Sequence, residues 1–235
     1  MIDIHTHVIY GVDDGSASPD MSRGMLRAAA AQGVRAVVCT SHCTPGYRPF
    51  PWETYLARLE ELRSFLRAEG LGLELLPGCE ILYTDQAASL ARRGEIPTLN
   101  GGRAALVEFL PETPWDTIRK AAREFGNAGL RMIAAHVERY ACLREDLSRL
   151  AELREEGVFC QMNAATALRG AGLFGDRWTK KALKSGLIDA VASDAHNLTS
   201  RAPNLEAARQ CLEKTLGEAA ARRLLEEGPG EILRL

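Results

Sequence analysis

The chain has 235 residues, 46% of them hydrophobic, with 29 lysines and arginines against 31 acids and a formal net charge of −2. That length suits one α/β domain able to bury its own core, and the charge balance gives no electrostatic case for nucleic acid or an anionic membrane. No apolar run reaches the ~18–20 residues of a membrane span, and MIDIHTHV has no basic region leading into an apolar stretch, so a cytoplasmic location is expected.

Short apolar runs alternate with amphipathic stretches along the whole chain. IDIHTHV precedes the helical PDMSRGMLRAAAAQG, VRAVVCTSH precedes ETYLARLEELRSFLRAEG, and LELLPGCEIL precedes DQAASLARRG. RAALVEF then leads into DTIRKAAREFGNAG, RMIAAH into REDLSRLAELREEG, VFCQMNA into RWTKKALKSG, and IDAVASDAH into NLEAARQCLEKTLG. Runs of four to eight residues followed by segments of 3.6-residue period that often end in Gly are the pattern of βα units around a parallel sheet. Seven such units and a final helix, EAAARRLLEEG, with no internal linker, predict one domain over 1–235, a closed or nearly closed TIM-like (β/α)7 barrel, with an open doubly wound sheet as the lesser option. CTPGYRPFPW, too rich in Pro for helix or central strand, reads as a long loop after the second strand.

The chemistry-bearing residues fall at strand ends, and in the first strand alternation puts Asp3, His5 and His7 on one face. His5 and His7 close the first predicted strand, His42 the second, Glu80 the third, Glu108 the fourth, His136 the fifth, and Asp194 and His196 the seventh. A single histidine at a strand end is usually a partly buried side chain with one hydrogen bond. Here all five histidines of the chain and three acids gather on the C-terminal face of a barrel, where active sites lie. Imidazoles and carboxylates converging in this number describe a site for several ions of the Mn, Fe or Zn type. Asp13 and Asp14 read equally as a turn, since D-G at 14–15 is a turn dipeptide, or as the source of one more oxygen ligand. Arg139 and Arg201 follow His136 and His196 closely; beside a cluster of cations a guanidinium fork is suited to a bound oxyanion, which points to phosphate ester hydrolysis. The six cysteines form no CxxC pair and none precedes an arginine at C-x5-R spacing, so they read as reduced or buried thiols and not as a phosphatase nucleophile.

DIHTH, TSH, the Glu of GCE, the Glu of ALVEF, AHVERY and SDAH together resemble the motifs of the PHP (polymerase and histidinol phosphatase) superfamily. More narrowly, VDDGS, EIPTL, AHVERY and ASDAHNLTSR resemble the bacterial PHP-type protein tyrosine phosphatases associated with capsule and exopolysaccharide loci. The resemblance implies a distorted (β/α)7 barrel with three metal ions, Mn foremost and Fe or Zn accepted by the same donors. It implies one ion on His5, His7, Glu80 and Asp194, with Glu80 bridging to a second on Glu108 and His136, and a third on Asp14, His42 and His196. Asp13 then becomes a turn or supporting residue, and Asp3 is expected to orient a histidine through its free ring nitrogen. The implied reaction is attack on phosphotyrosine by a metal-activated hydroxide, with Arg139 and Arg201 holding the phosphoryl oxygens. The implied partner is a phosphotyrosine protein, a cognate bacterial tyrosine kinase. A small phosphomonoester such as histidinol phosphate is the alternative substrate. An amidohydrolase-type deaminase, which also begins with HxH, fits less well because its fourth strand often carries a lysine where this chain has Glu108. Tyr47, Phe50, Trp52 and Tyr55 are expected either to stack on the substrate ring or to pack their loop against the barrel.

Overall fold

A computed structural model describes residues 1–171 and 175–234. Its strands are β1 (Ile2–Thr6), β2 (Ala36–Cys39), β3 (His42–Cys43), β4 (Glu74–Pro77), β5 (Glu80–Leu82), β6 (Ala104–Glu108), β7 (Arg131–Ala134), β8 (Phe159–Asn163) and β9 (Ala190–Ala192). All pair in parallel, in the order β1-β2-β4 and β3-β5-β6-β7-β8-β9. Because β3 follows β2 and β5 follows β4 after short breaks, the nine segments occupy seven strand positions. The ring closes where Asp194 N donates to His5 O and His7 N to Ala195 O, each at 2.8 Å. This is the distorted seven-position barrel expected from the pattern.

The inside of the ring is legible as rows of alternate residues. Ile2 and Ile4, Ala36 and Val38, Ala104 and Leu106, Ile133, and Ala190 and Ala192 form one buried cluster, and contacts among so many strands are available only in the barrel interior. Val37, Ala105, Val107 and Val191, in the opposite phase, belong to a second core shared with the helices. Continuing the inward rows by two gives Glu108, Asp194 and, through β8, Gln161 and Asn163. Gly78 sits on such a row, between Leu76 and Glu80. A Cβ there would lie 2.8 Å from Val38 Cγ1 and 3.0 Å from Leu99 Cδ2, so any side chain meets a filled interior.

The outer layer comprises α1 (Pro19–Ala31), α2 (Trp52–Ala68), α3 (Ala87–Arg92), α4 (Trp115–Asn127), α5 (Ala141–Glu145), α6 (Ser148–Glu155), α7 (Ala164–Ala171), α8 (Arg177–Lys184), α9 (Leu205–Leu216), α10 (Glu218–Arg222) and α11 (Gly228–Leu233), with a π turn at Arg223–Glu227 joining the last two. α4 shows why these segments are helices: Ile118, Ala121, Ala122 and Phe125, spaced i, i+3, i+4 and i+7, are its buried stripe. Among the described residues no helix is long and apolar enough to cross a membrane.

Three local features differ from the sequence reading. The second and third strands break just before the site, so His42 and Glu80 begin new two- and three-residue strands instead of closing long ones. α7 follows β8 directly, whereas the sequence pattern placed the next helix only at RWTKKALKSG. The pairing of β1 with β2 shifts between Asp3 and Thr6, a bulge that breaks the simple alternation. Asp3 therefore does not share the face of His5 and His7.

Candidate metal centre and arginine pair

Five imidazoles and a set of carboxylates meet at the C-terminal ends of the strands. His5 Nε2 and His7 Nε2 lie 3.3 Å apart, each 3.2 Å from Glu80 Oε2, and 3.4 and 3.6 Å from Asp194 Oδ1. Donors bound ~2.1 Å from one tetrahedral ion are about 3.4 Å from each other, so these four atoms already have the spacing of a ligand shell. Glu80 Oε1 is 2.7 Å from His136 Nε2, and Glu108 Oε2 lies 3.8 Å from the same nitrogen. His42 stands between groups, with Nδ1 3.0 Å from Glu108 Oε1 and 3.2 Å from Glu80 Oε2, and Nε2 3.3 Å from Asp14 Oδ1. His196 Nε2 faces Asp14 Oδ1 at 3.6 Å. Thus His7, Asp14, His42 and His196 form one donor group, His5, His7 and Glu80 a second, and His42, Glu80 and Glu108 a third, each within 4.8 Å.

The groups fit cations by chemistry as well as by spacing. His196 Nε2 is buried with no hydrogen-bond partner, a lone pair or N–H that the protein leaves unmatched. Burial opposes charge at His5 and His7, yet Glu80 and Asp194 outweigh it at His5, whose pKa is raised, and bonds to Asp13 and Glu80 lift His7 to about 10. Glu80 is held well below the usual carboxylate range, despite full burial, by His5, His136 and His7. The carboxylate cage thus stabilises positive charge at its centre. His196 behaves oppositely: burial, then the positive His7 ring 3.8 Å away centroid to centroid, push it down to about 4. A neutral imidazole is the form that ligates a metal.

Supporting contacts fix which ring nitrogen points inward. His7 Nδ1 donates to Asp13 Oδ2 at 2.9 Å, and the same oxygen accepts from His42 N at 2.9 Å. Asp13 Oδ1 accepts from Gly15 N at 3.0 Å, so Asp13 is both the turn residue and the support of a histidine. A Cβ on Gly15 would fall 2.3 Å from His7 O, which is why the loop can close this tightly. Burial works against ionised Asp13, but these bonds hold it down at about 2. His5 Nδ1 donates to Gln161 Oε1 at 3.1 Å. Asp3 reaches neither ring: it accepts from the backbone N–H groups of Ser193 at 3.0 Å and His5 at 3.4 Å, beside Met25 and Leu26 of α1 and Val37 of β2.

Gln161 and Asn163 are the functional neighbours that strand-end reasoning passed over. Gln161 Oε1 also accepts from His136 N at 2.8 Å, and its Nε2 donates to Asn163 Oδ1 at 2.9 Å. Asn163 Nδ2 donates to Asp194 Oδ2 at 2.7 Å. One buried amide chain therefore ties His5, His136 and Asp194 together. Its sequence signal was present: in FCQMN, two amides at i and i+2 interrupt an otherwise apolar strand on one face. Backbone strain is concentrated at the same place, since His136 and Asp194 adopt φ of 32° and 53°, a region that costs non-glycine residues about 1–3 kcal/mol.

Arg139 and Arg201 come together as their positions suggested, each placing one guanidinium nitrogen 2.7 Å from Asp194 Oδ2. They stand between the donor cluster and a cavity of about 620 Å³ that both of them line. The aromatic segment divides. Phe50, Trp52 and Tyr55 pack on one another, with centroids 5.1 to 6.4 Å apart, and the fully buried Tyr55 hydroxyl donates to Cys39 O and accepts from Gly78 N. Only Tyr47 of the four keeps its ring in solvent, 87% exposed. All six cysteines are free thiols and five are buried.

Comparison with known proteins agrees with this geometry along the whole chain. Residues 1–234 match the family model for capsular polysaccharide synthesis, CpsB/CapC. The tyrosine-protein phosphatase CpsB of Streptococcus pneumoniae is 34% identical over 99% of this chain and 98% of its own length. The tyrosine-protein phosphatase YwqE of Bacillus subtilis is 34% identical over 92% and 85% respectively. A crystal structure from work on these two proteins, described as metal-dependent tyrosine phosphatases, superposes with a TM-score of 0.87 at 30% identity, covering 100% of this chain and 94% of that one. With the seven-position barrel and the histidine–carboxylate cluster, these matches place the chain in the CpsB/CapC family of capsular polysaccharide synthesis.

Proposed function

We propose that residues 1–235 act as one catalytic domain, a metal-dependent protein tyrosine phosphatase that hydrolyses phosphotyrosine in the cytoplasm. The substrate we assign is a bacterial tyrosine kinase that regulates capsule or exopolysaccharide synthesis. The observation that carries the reading is the convergence of five imidazoles and the carboxylates of Asp14, Glu80, Glu108 and Asp194 beside two arginines. The ligand sets we favour are His5, His7, Glu80 and Asp194; Glu80, Glu108 and His136; and Asp14, His42 and His196. Three ions, Mn foremost with Fe or Zn as substitutes, suit these nitrogen and oxygen donors. When bound, such ions supply Lewis acidity and lower the pKa of a coordinated water from ~16 towards ~7.

The chain's own residues do the rest. Asp13 and Gln161 hold His7 and His5 with Nε2 directed inward. Arg139 and Arg201 offer planar forks that match phosphoryl oxygens bidentately and stabilise charge as it develops on them. A tyrosine phenol, pKa ~10, is a good enough leaving group that no dedicated general acid is required. The relatives named as tyrosine-protein phosphatases support a phosphotyrosyl protein over a small ester such as histidinol phosphate.

The test compares turnover of a phosphotyrosyl peptide and histidinol phosphate by metal-loaded protein, with chelator and with iodoacetamide. Preference for the peptide, loss of activity on chelation and survival of alkylation are expected. Resistance to EDTA with inhibition by iodoacetamide, or preference for histidinol phosphate, overturns the reading.

A further inference from the structure

We propose that the cavity beyond Arg139 and Arg201 is a second anion-binding subsite, which takes an acidic or phosphorylated side chain flanking the phosphotyrosine of the same peptide. The proposal rests on the phosphatase reading above and names the class of peptide that the site selects.

The cavity holds about 620 Å³, within the ~300–1,000 Å³ of ordinary ligand pockets. It shares Arg139, Arg201 and Asp194 with the donor cluster, so a ligand in it is contiguous with a phosphoryl group held there. Arg144 of α5 and Arg169 of α7 also line it, bringing four guanidinium groups to one cavity. Hydrolysis of an isolated phosphotyrosine gives work to two of them.

The counter-charges leave room for an anion. Asp194 takes both Arg139 and Arg201 on Oδ2, but its Oδ1 faces His5 and His7 at 3.4 and 3.6 Å and belongs to the donor cluster. Asp176 is occupied in capping α8, accepting from Thr179 N and Thr179 Oγ1, and meets Arg144 at 3.3 Å. Glu138, the third carboxylate of the lining, is buried and accepts from Asn163 N. Arg169 is exposed and makes no ion pair among the described residues. Its guanidinium is the one most available to a new anion, and Arg144, already braced over the Trp178 ring at 5.5 Å, is positioned rather than free. Ser200, whose Oγ accepts from Asn197 Nδ2 at 3.3 Å, adds a hydroxyl donor to the same lining.

Three phosphotyrosyl peptides test this: one with neutral flanks, one with Glu within three residues of the phosphotyrosine, and one with a second phosphotyrosine there. The readout is the ratio of kcat/KM for each anionic peptide to that for the neutral one. Because both values come from one preparation, loss of folded protein cancels. For the unaltered chain a ratio of about ten is expected, falling with added salt as screening shortens the reach of the guanidinium charge. In Arg169→Ala the ratio drops several-fold, and in Arg169→Glu it falls to one or below. Discrimination by the Glu peptide assigns the subsite to carboxylates as well as phosphates; discrimination by the doubly phosphorylated peptide alone assigns it to phosphate. A ratio near one in the unaltered chain, or a ratio that survives Arg169→Glu, overturns the subsite while leaving the phosphatase reading intact. Failure to hydrolyse any of the three peptides overturns the phosphatase reading, and the subsite with it.

Discussion

The two ends of the barrel's inward rows have the same phase and opposite chemistry. Ala104 and Leu106 precede Glu108, and Ala190 and Ala192 precede Asp194, each step advancing two residues along one face. At the N-terminal end these rows give a dry interior of Ile, Leu and Ala. At the other end they give carboxylates, a burial that is tolerated only with partners. Phase along a strand thus decides that a residue points inward, while distance along it decides whether it meets the core or the site. The contrast predicts that substitutions at the two ends separate stability from metal content.

Glu80→Gln produces the largest effect. Glu80 is 1% exposed, its Oε2 is 3.2 Å from His5, His7 and His42, and its Oε1 is 2.7 Å from His136. The amide replaces half of that acceptor by a donor aimed at imidazole nitrogens. Activity should fall by more than the roughly 10–100-fold that follows loss of a ligand-orienting group, with fewer ions per chain by elemental analysis. Full metal content in this variant removes Glu80 from the ligand set. Ile2→Ala, at the dry end, should do the reverse. A buried isoleucine, here paired in register with Ala36, costs roughly 2–5 kcal/mol on truncation, read from denaturant unfolding, while ions per folded chain and kcat stay as they were. If metal is lost instead, the two ends are not energetically separate.

These two ends also show how much the sequence carried. The seven positions and the direction of the barrel follow from period and punctuation, and the C-terminal placement of His5, His42, Glu80, Glu108 and Asp194 follows from those. What alternation alone misassigned was Asp3. It lies at i−2 from His5, but the β-bulge between Asp3 and Thr6 turns it away, and one extra residue in a strand leaves no mark in the five residues IDIHT. The breaks before His42 and Glu80 are similarly silent, although Gly78 marks one of them. Gln161 and Asn163 carry no ligand signal in the sequence, because amides are weak metal ligands. Their role depends on tertiary hydrogen bonds across 156 residues from Gln161 to His5, which no local window contains.

Gln161→Leu sharpens the contrast from within a single row. Leucine keeps the approximate volume but removes the acceptor for both His5 Nδ1 and His136 N. Two buried donors are then orphaned, and the His5 ring is no longer held in one tautomer. Metal affinity should weaken by roughly 10–100-fold, measured by competition with a chelator, and saturating metal should restore most of the turnover. Affinity equal to that of the unaltered chain would make Gln161 a packing residue.

The smallest expected effect concerns the aromatic loop, whose cavity shares no lining residue with the arginine-lined one. There Trp52 meets Phe50 and Tyr55 edge to face and donates Nε1–H to Glu95 O at 2.9 Å, so its ring is committed to its own loop. Trp52→Phe retains an aromatic in that stack and loses one hydrogen bond at the surface, worth at most about 1 kcal/mol. Unfolding free energy should fall by no more than that, and kcat/KM on a phosphotyrosyl peptide should not change. A fall in kcat/KM with stability intact would return Trp52 to the substrate. In that case the apolar flank, where Tyr47 already presents an open ring, would recognise the peptide alongside the arginines.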